Sequence, residues 1–133
     1  MSTQENIELV TRFYQLIEEN DYVAVQTLCH DDFTFYSQVD TPLDLAGFLA
    51  QEKGNMDAFP GFTFRIHEIF AEGDKVACYM IFEGVNTAPM HQTPPTNNKL
   101  RFSLMMLLTI KDGKILEKRA HLNDADIIKQ LHG

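Results

Sequence analysis

Between Phe62 and Leu122 almost every apolar run alternates with polar residues, and tight turns separate the runs. "FTFRIHEIFA" (62–71) is followed by "EGD" and "KVACYMIFEGVNT" (75–87). "KLRFSLMMLLTI" (99–110) is followed by "DG" and "KILEKRAHL" (114–122). Period-two patterning joined by short turns predicts consecutive antiparallel strands. Asp112-Gly113 is a strong two-residue hairpin signal, and a type I′ turn there pairs Lys111 with Lys114. Counting outward from that pair sets Leu108 opposite Glu117, Met106 opposite Arg119 and Leu104 opposite His121. On this register one face carries Glu117, Arg119 and His121 among apolar neighbours. The other carries Leu107, Met105, Leu116 and Ala120.

The first half of the chain reads differently. "QENIELVTRFYQLIEE" (4–19) spaces Ile7, Val10, Phe13, Tyr14 and Ile17 as a helix does, with Ser2 or Thr3 as cap and Glu5 in the first turn. A short second helix follows over 20–29, entered at Asn20-Asp21. A strand over 31–39 turns Phe33 and Phe35 to one side, Thr34 and Tyr36 to the other. A third helix covers about 43–58, with Thr41 or Pro42 near its start. Residues 124–131 form a short helical tail. The order α-α-β-α-β-β-β-β-α predicts an α+β fold, helices on one side of an antiparallel sheet. Residues 78–82 and 104–108 are apolar on both faces, so the back of the sheet needs a cover, most economically a second copy of the chain.

Composition narrows the function. The 133 residues suit one domain, and 44% are hydrophobic, including ten Phe and no Trp. A net charge of −8 repels phosphate backbones and anionic lipid, which argues against nucleic acid or a membrane surface as partner. No apolar run approaches the ~20 residues of a membrane span. "MSTQENIELV" lacks the basic and apolar regions of a signal peptide. Cys29 and Cys78 are too few for a disulfide framework, and no Cys/His spacing reads as a zinc site. Two reduced thiols in a cytoplasmic protein are expected.

Several motifs, in order, carry a resemblance. They are Phe59-Pro60, Glu72-Gly73-Asp74-Lys75-Val76, Gly84-Val85-Asn86 and Pro95-Thr96-Asn97-Asn98-Lys99. Asp112-Gly113-Lys114-Ile115, Glu117-Lys118-Arg119, Asp124 and Gln130-Leu131-His132-Gly133 complete the series. Over about residues 44–133 this pattern resembles the SnoaL-like polyketide cyclases, within the superfamily similar to nuclear transport factor 2. The resemblance implies an α+β cone, a curved sheet wrapped around N-terminal helices with a short C-terminal helix and a ligand pocket inside. It also implies dimers, or dimers of dimers, formed through the sheet. "PPTNNKLRF" (94–102) then becomes the rim of the pocket mouth. Two family positions differ here: a His is Asn86 and a Trp is Arg119.

The family's chemistry is intramolecular aldol closure without metal or cofactor, on a polyketide-like or other small apolar molecule. It needs a base for an acidic C–H and donors for the developing enolate. A carboxylate in an apolar pocket suits the first task. Asp124 is the candidate base, and Asn123 and Asp126 are alternatives for the family's acid/base position. Asp124 is also a natural cap for the terminal helix, and the two roles are compatible. His121 is a candidate second acid/base, or part of an ion-pair ladder with Glu117 and Arg119. Asn86, His91, Arg119, Glu117, Tyr36 and Tyr14 are candidate ligand-binding groups, with Gln38 and Tyr79 as further pocket polar groups. The rival readings are a binding module without chemistry and a dimerisation or adaptor domain with a filled pocket.

Overall fold

The structure is a computed structural model, and it describes residues 2–38 and 40–133. Helix α1 (Thr3–Glu18) starts at Ser2, whose Oγ accepts from the Glu5 amide at 3.1 Å while Glu5 reaches back to the Ser2 amide. This reciprocal capping box satisfies two otherwise orphan donors. The helix buries Val10, Phe13, Tyr14 and Ile17. Helix α2 (Tyr22–Thr27) is capped by Asp21. Strand β1 (Cys29–Tyr36) buries Phe33 and Phe35 and turns Thr34 and Tyr36 away from the core. Val39, included in the expected strand, lies outside the described residues.

Helix α3 (Leu45–Met56) begins later than expected, at an Asp44 cap rather than at Thr41 or Pro42. The reason is local. Leu43 exchanges both backbone hydrogen bonds with Phe35 at 2.9 Å, so the chain is still extended there.

Strands β2 (Thr63–Glu72), β3 (Lys75–Val85), β4 (Lys99–Lys111) and β5 (Lys114–His121) follow, then α4 (Asp124–His132). The sheet order is β1-β5-β4-β3-β2, antiparallel except for the parallel β1–β5 pair. All helices but α4 precede β2, and the fold is α+β as expected. One sheet face packs on α1 and α3, with Val76, Cys78, Met80, Phe82, Leu100 and Leu108 buried between the layers. Phe82 stacks or edges against Phe59, Phe62, Phe64 and Phe102 at centroid distances of 4.8–5.9 Å. Such aromatic contacts add about 0.5–1.5 kcal/mol each beyond area burial.

The β4–β5 hairpin corrects the expected register. Asp112 and Gly113 take the left-handed conformation at φ 54° and 72°, and Lys111 pairs with Lys114. Beyond Ile110↔Ile115, however, the next pair is Thr109↔Glu117, so Leu116 is an extra residue in β5. A bulge of one residue moves every later side chain to the opposite face. Leu108 therefore pairs with Lys118 and Met106 with Ala120, while Glu117, Arg119 and His121 align with Thr109, Leu107 and Met105. Lys118 and Ala120 are buried. The polar trio is on the outside of the sheet.

Candidate functional site

The curved sheet does not close completely on the helices. A cavity of about 320 Å³ remains, walled by the inner faces of β4 and β5, by Tyr14 of α1, by Phe48, Glu52, Asn55 and Met56 of α3, and by Phe35. Leu122, Asp124 and Ile127 form one side of its mouth, and Met90 of the 86–98 loop belongs to the wall. Apolar side chains dominate, as in most small-molecule sites.

Three polar groups sit inside. Lys118 is 2% exposed. Its ammonium nitrogen lies 4.9 Å from the Phe35 ring centroid, 5.4 Å from Phe48 and 5.6 Å from Tyr14, an aromatic cage. Its polar contact is the Met106 sulfur at 3.9 Å, and it makes no ion pair among the described residues. Burial pushes its pKa below the ordinary value, partly opposed by Glu52 and then by Cys78 and Cys29. Glu52 lines the same cavity one helical turn beyond Phe48. Burial raises its pKa, and Lys118 opposes the shift. Desolvation thus favours the neutral form of both groups. Tyr14 is 2% exposed and its hydroxyl has no hydrogen-bond partner among the described residues. Burial, then the nearby Cys78 and Glu52, hold the phenol far above its ordinary pKa, so it remains a donor.

Asp124 is at the mouth and exposed. Its Oδ2 accepts from Gln38 Nε2 at 2.9 Å, and Gln38 Oε1 accepts from the Leu122 amide at 3.3 Å. Asp124 is not the helix cap. Asn123 holds that position, accepting from the Asp126 amide at 3.0 Å. Asp126 is exposed and accepts from Gln130.

The remaining candidates are elsewhere. His121 is exposed beside a shallow outer groove, not the cavity. Glu117 pairs with Arg119 at 2.7 Å, and the guanidinium stacks over Tyr36 at 4.0 Å. All three belong to the outer face. Tyr79 is also outside, edge-on to His67.

Asn86 is buried but already used. Its Nδ2 donates to the Ala58 carbonyl at 3.1 Å and the Ala88 carbonyl at 2.9 Å, and its Oδ1 accepts from the Thr96 amide at 2.8 Å. It clamps the rim loop, which Asn97 turns at φ 63°. Asn98 adds a bond to the Leu131 carbonyl at the end of α4. His91, at φ 53°, packs on Gly54 and contacts Asn55 Oδ1 at 3.1 Å. A Cβ on Gly54 would come within 2.5 Å of the imidazole, so glycine permits this approach.

Glu52 and Lys118 were missed by sequence reasoning. Glu52 had a signal, since it continues the Leu45, Phe48, Met56 stripe of α3. Lys118 had a weaker one: Ile115 and Ala120 are both core residues of opposite parity, which demands a bulge between them.

The sequence model of the SnoaL-like polyketide cyclases matches residues 7–131. The chain belongs to that family. Its fold is similar to that of AclR from Streptomyces galilaeus, proposed to be a hydroxylase, at 22% identity and TM-score 0.88, covering 98% of this chain and 97% of that one. A protein from Jannaschia sp. CCS1, assigned as a SnoaL-like polyketide cyclase, gives 17% identity and TM-score 0.90, with 98% and 94% covered. An epoxide hydrolase of M. tuberculosis gives 20% and 0.75, with 97% and 90% covered. No curated protein sequence matches the chain. Among the described residues no group of three or more His, Cys, Asp or Glu is placed to hold a metal ion, and no helix is long and apolar enough to cross a membrane.

Proposed function

We propose that this SnoaL-like protein binds a compact, largely apolar molecule bearing carbonyl groups and promotes proton transfer on it, as in intramolecular aldol cyclisation or isomerisation. The observation that carries the reading is the enclosed set of Glu52, Lys118 and the unpartnered Tyr14 hydroxyl in an otherwise apolar cavity. Similar folds serve a hydrolase and a protein proposed as a hydroxylase, so the reaction has to be argued from these side chains. The Tyr14 hydroxyl donates to the substrate oxygen as negative charge develops there. Glu52, whose pKa burial raises, serves as the internal acid. Asp124, oriented by Gln38 at the mouth, is the base for an α C–H.

The test is exchange of the α-hydrogens of phenylacetone in deuterated buffer. The wild type should accelerate it. Asp124→Asn should lower the acceleration by roughly 10²–10⁴-fold, the usual worth of a positioned base. Tyr14→Phe should cost about 10²–10³-fold. No acceleration above buffer, or none sensitive to these changes, contradicts the reading. The exposure of Asp124 favours a second one, a binding module, for which phenylacetone would bind without exchange.

The chain also acts as a homodimer in this proposal. Phe70, Tyr79, Met105 and Leu107 share the outer face of the sheet, with Met105 51% and Leu107 43% exposed. A contiguous apolar patch of this kind suits an interface. Unpaired thiols fit a reducing compartment, and we place the protein in the cytoplasm.

A further inference from the structure

Lys118 is the one lysine buried among the described residues. The other six, Lys53, Lys75, Lys99, Lys111, Lys114 and Lys129, are exposed. A lysine placed inside a core ordinarily carries a carboxylate partner, because an unpaired ammonium away from water is costly. Lys118 has three aromatic faces and a thioether instead. The groups around it are Glu52 from α3, Tyr14 from α1, Cys78 from β3 and Cys29 from β1, with Met106 on β4. Glu52 is the one carboxyl among them, and burial raises its pKa. An amine buried at the wall of a cavity that a carboxyl group also lines is the arrangement that makes lysine a nucleophile toward carbonyl carbon.

We infer that Lys118 condenses with a ketone or aldehyde carbonyl of the bound molecule, so that the cavity activates the neighbouring carbon as an enamine. This rests on the proposal that the cavity takes a carbonyl compound. The nitrogen lone pair attacks the carbonyl carbon, and the C=O π pair moves to oxygen, which takes a proton from Glu52. Nitrogen then loses a proton to the Glu52 carboxylate. The C–O bond breaks as Glu52 returns that proton to the hydroxyl, which leaves as water, and C=N forms. The Glu52 carboxylate left by that step takes an α-proton, which gives the neutral enamine and restores the acid, and the enamine carbon can attack a second carbonyl. Hydrolysis returns the amine. No oxidant or reductant enters the cycle.

The probe is benzoylacetone, a 1,3-diketone whose imine rearranges to a conjugated enaminone with its own near-ultraviolet absorbance. The expected result is a band that saturates at one equivalent, a mass gain equal to the diketone less water, and peptide mapping of that adduct to Lys118 before any exposed lysine reacts. Lys118→Met, which preserves the unbranched apolar stem, should lose the adduct completely. Mapping on the wild type keeps the test independent of how well the variant folds. Modification confined to the exposed lysines, or equal modification of Lys118→Met, overturns the inference. If phenylacetone still exchanges deuterium under wild-type catalysis while no Lys118 adduct forms, the imine falls and the proton-transfer reading survives. If neither occurs, both fall.

Discussion

Replacing Asn86 by Ala tests whether the rim of the cavity is held as described. The side chain makes three bonds of 2.8–3.1 Å, to the Ala58 carbonyl, the Ala88 carbonyl and the Thr96 amide, and accepts a longer one from the Thr96 hydroxyl at 3.3 Å; Asn86 is 1% exposed. At a net worth of about 1 kcal/mol per bond the substitution costs about 3 kcal/mol. The bond to Ala58 is fully buried, so water cannot readily replace it, and the loss can reach ~5 kcal/mol. Against a total stability of about 5–15 kcal/mol the variant should fold but lose a large share. In urea this is a fall in midpoint of roughly 1.5–2.5 M at a slope of about 2 kcal/mol/M, with the slope itself unchanged. Asn86→Asp has the same shape and keeps the acceptor for Thr96, yet it turns a carboxylate oxygen toward two carbonyls. It should be at least as damaging as Ala at neutral pH. Acidification should recover part of the loss, because a protonated carboxyl can donate again. A loss below about 1 kcal/mol for Ala, or an Asp variant as stable as the wild type, would refute this account of the clamp.

The thiols should be inert in the native protein, since burial pushes Cys29 up to about 12 and Cys78 up to about 11. A thiol reagent should count both only after denaturation, and rapid native labelling would contradict their placement. Light scattering at micromolar concentration should give twice the 15.2 kDa chain mass, and Leu107→Glu should return it to the monomer. A monomeric wild type removes the dimer. Stability should respond to Glu52, whose folded pKa is raised above the unfolded one by burial. Its contribution is therefore complete below the ordinary 4.5 and is lost as pH rises through the folded value. Glu52→Gln cannot ionise, so urea unfolding at about pH 4 and about pH 7 should show a smaller decline for the variant; equal declines would contradict the burial.

Local signals made most of the fold legible. Period-two runs, the Asp112-Gly113 turn and the Ser2 cap are decided by neighbours within a few residues, and each appears where the pattern places it. The parallel β1–β5 pair joins segments far apart in sequence, and no local pattern announces it. Leu116 is the costly case. One unpaired residue reverses the faces of β5, which exchanges Glu117, Arg119 and His121 for Lys118 as the groups facing the interior. Alternation fixes a strand's two faces but cannot say where a bulge swaps them. Helical spacing is tolerant of such errors: it groups Tyr14 with Val10, Phe13 and Ile17, and all four are buried, Tyr14 at the cavity wall. Asn86 was singled out for a changed family position, although its task is to hold the loop.

Glu52 and Lys118 line one apolar cavity, and the site depends on that shared placement. The most direct measurement is an NMR titration of the Glu52 side-chain carboxyl and the Lys118 ε-methylene, assigned through Glu52→Gln and Lys118→Met. The account predicts that Glu52 titrates above its ordinary 4.5 and Lys118 below its ordinary 10.5, each shifting when the other is replaced. Ordinary values for both, unaffected by either substitution, would mean that the β5 bulge does not bring Lys118 inside, and the site as described would be wrong.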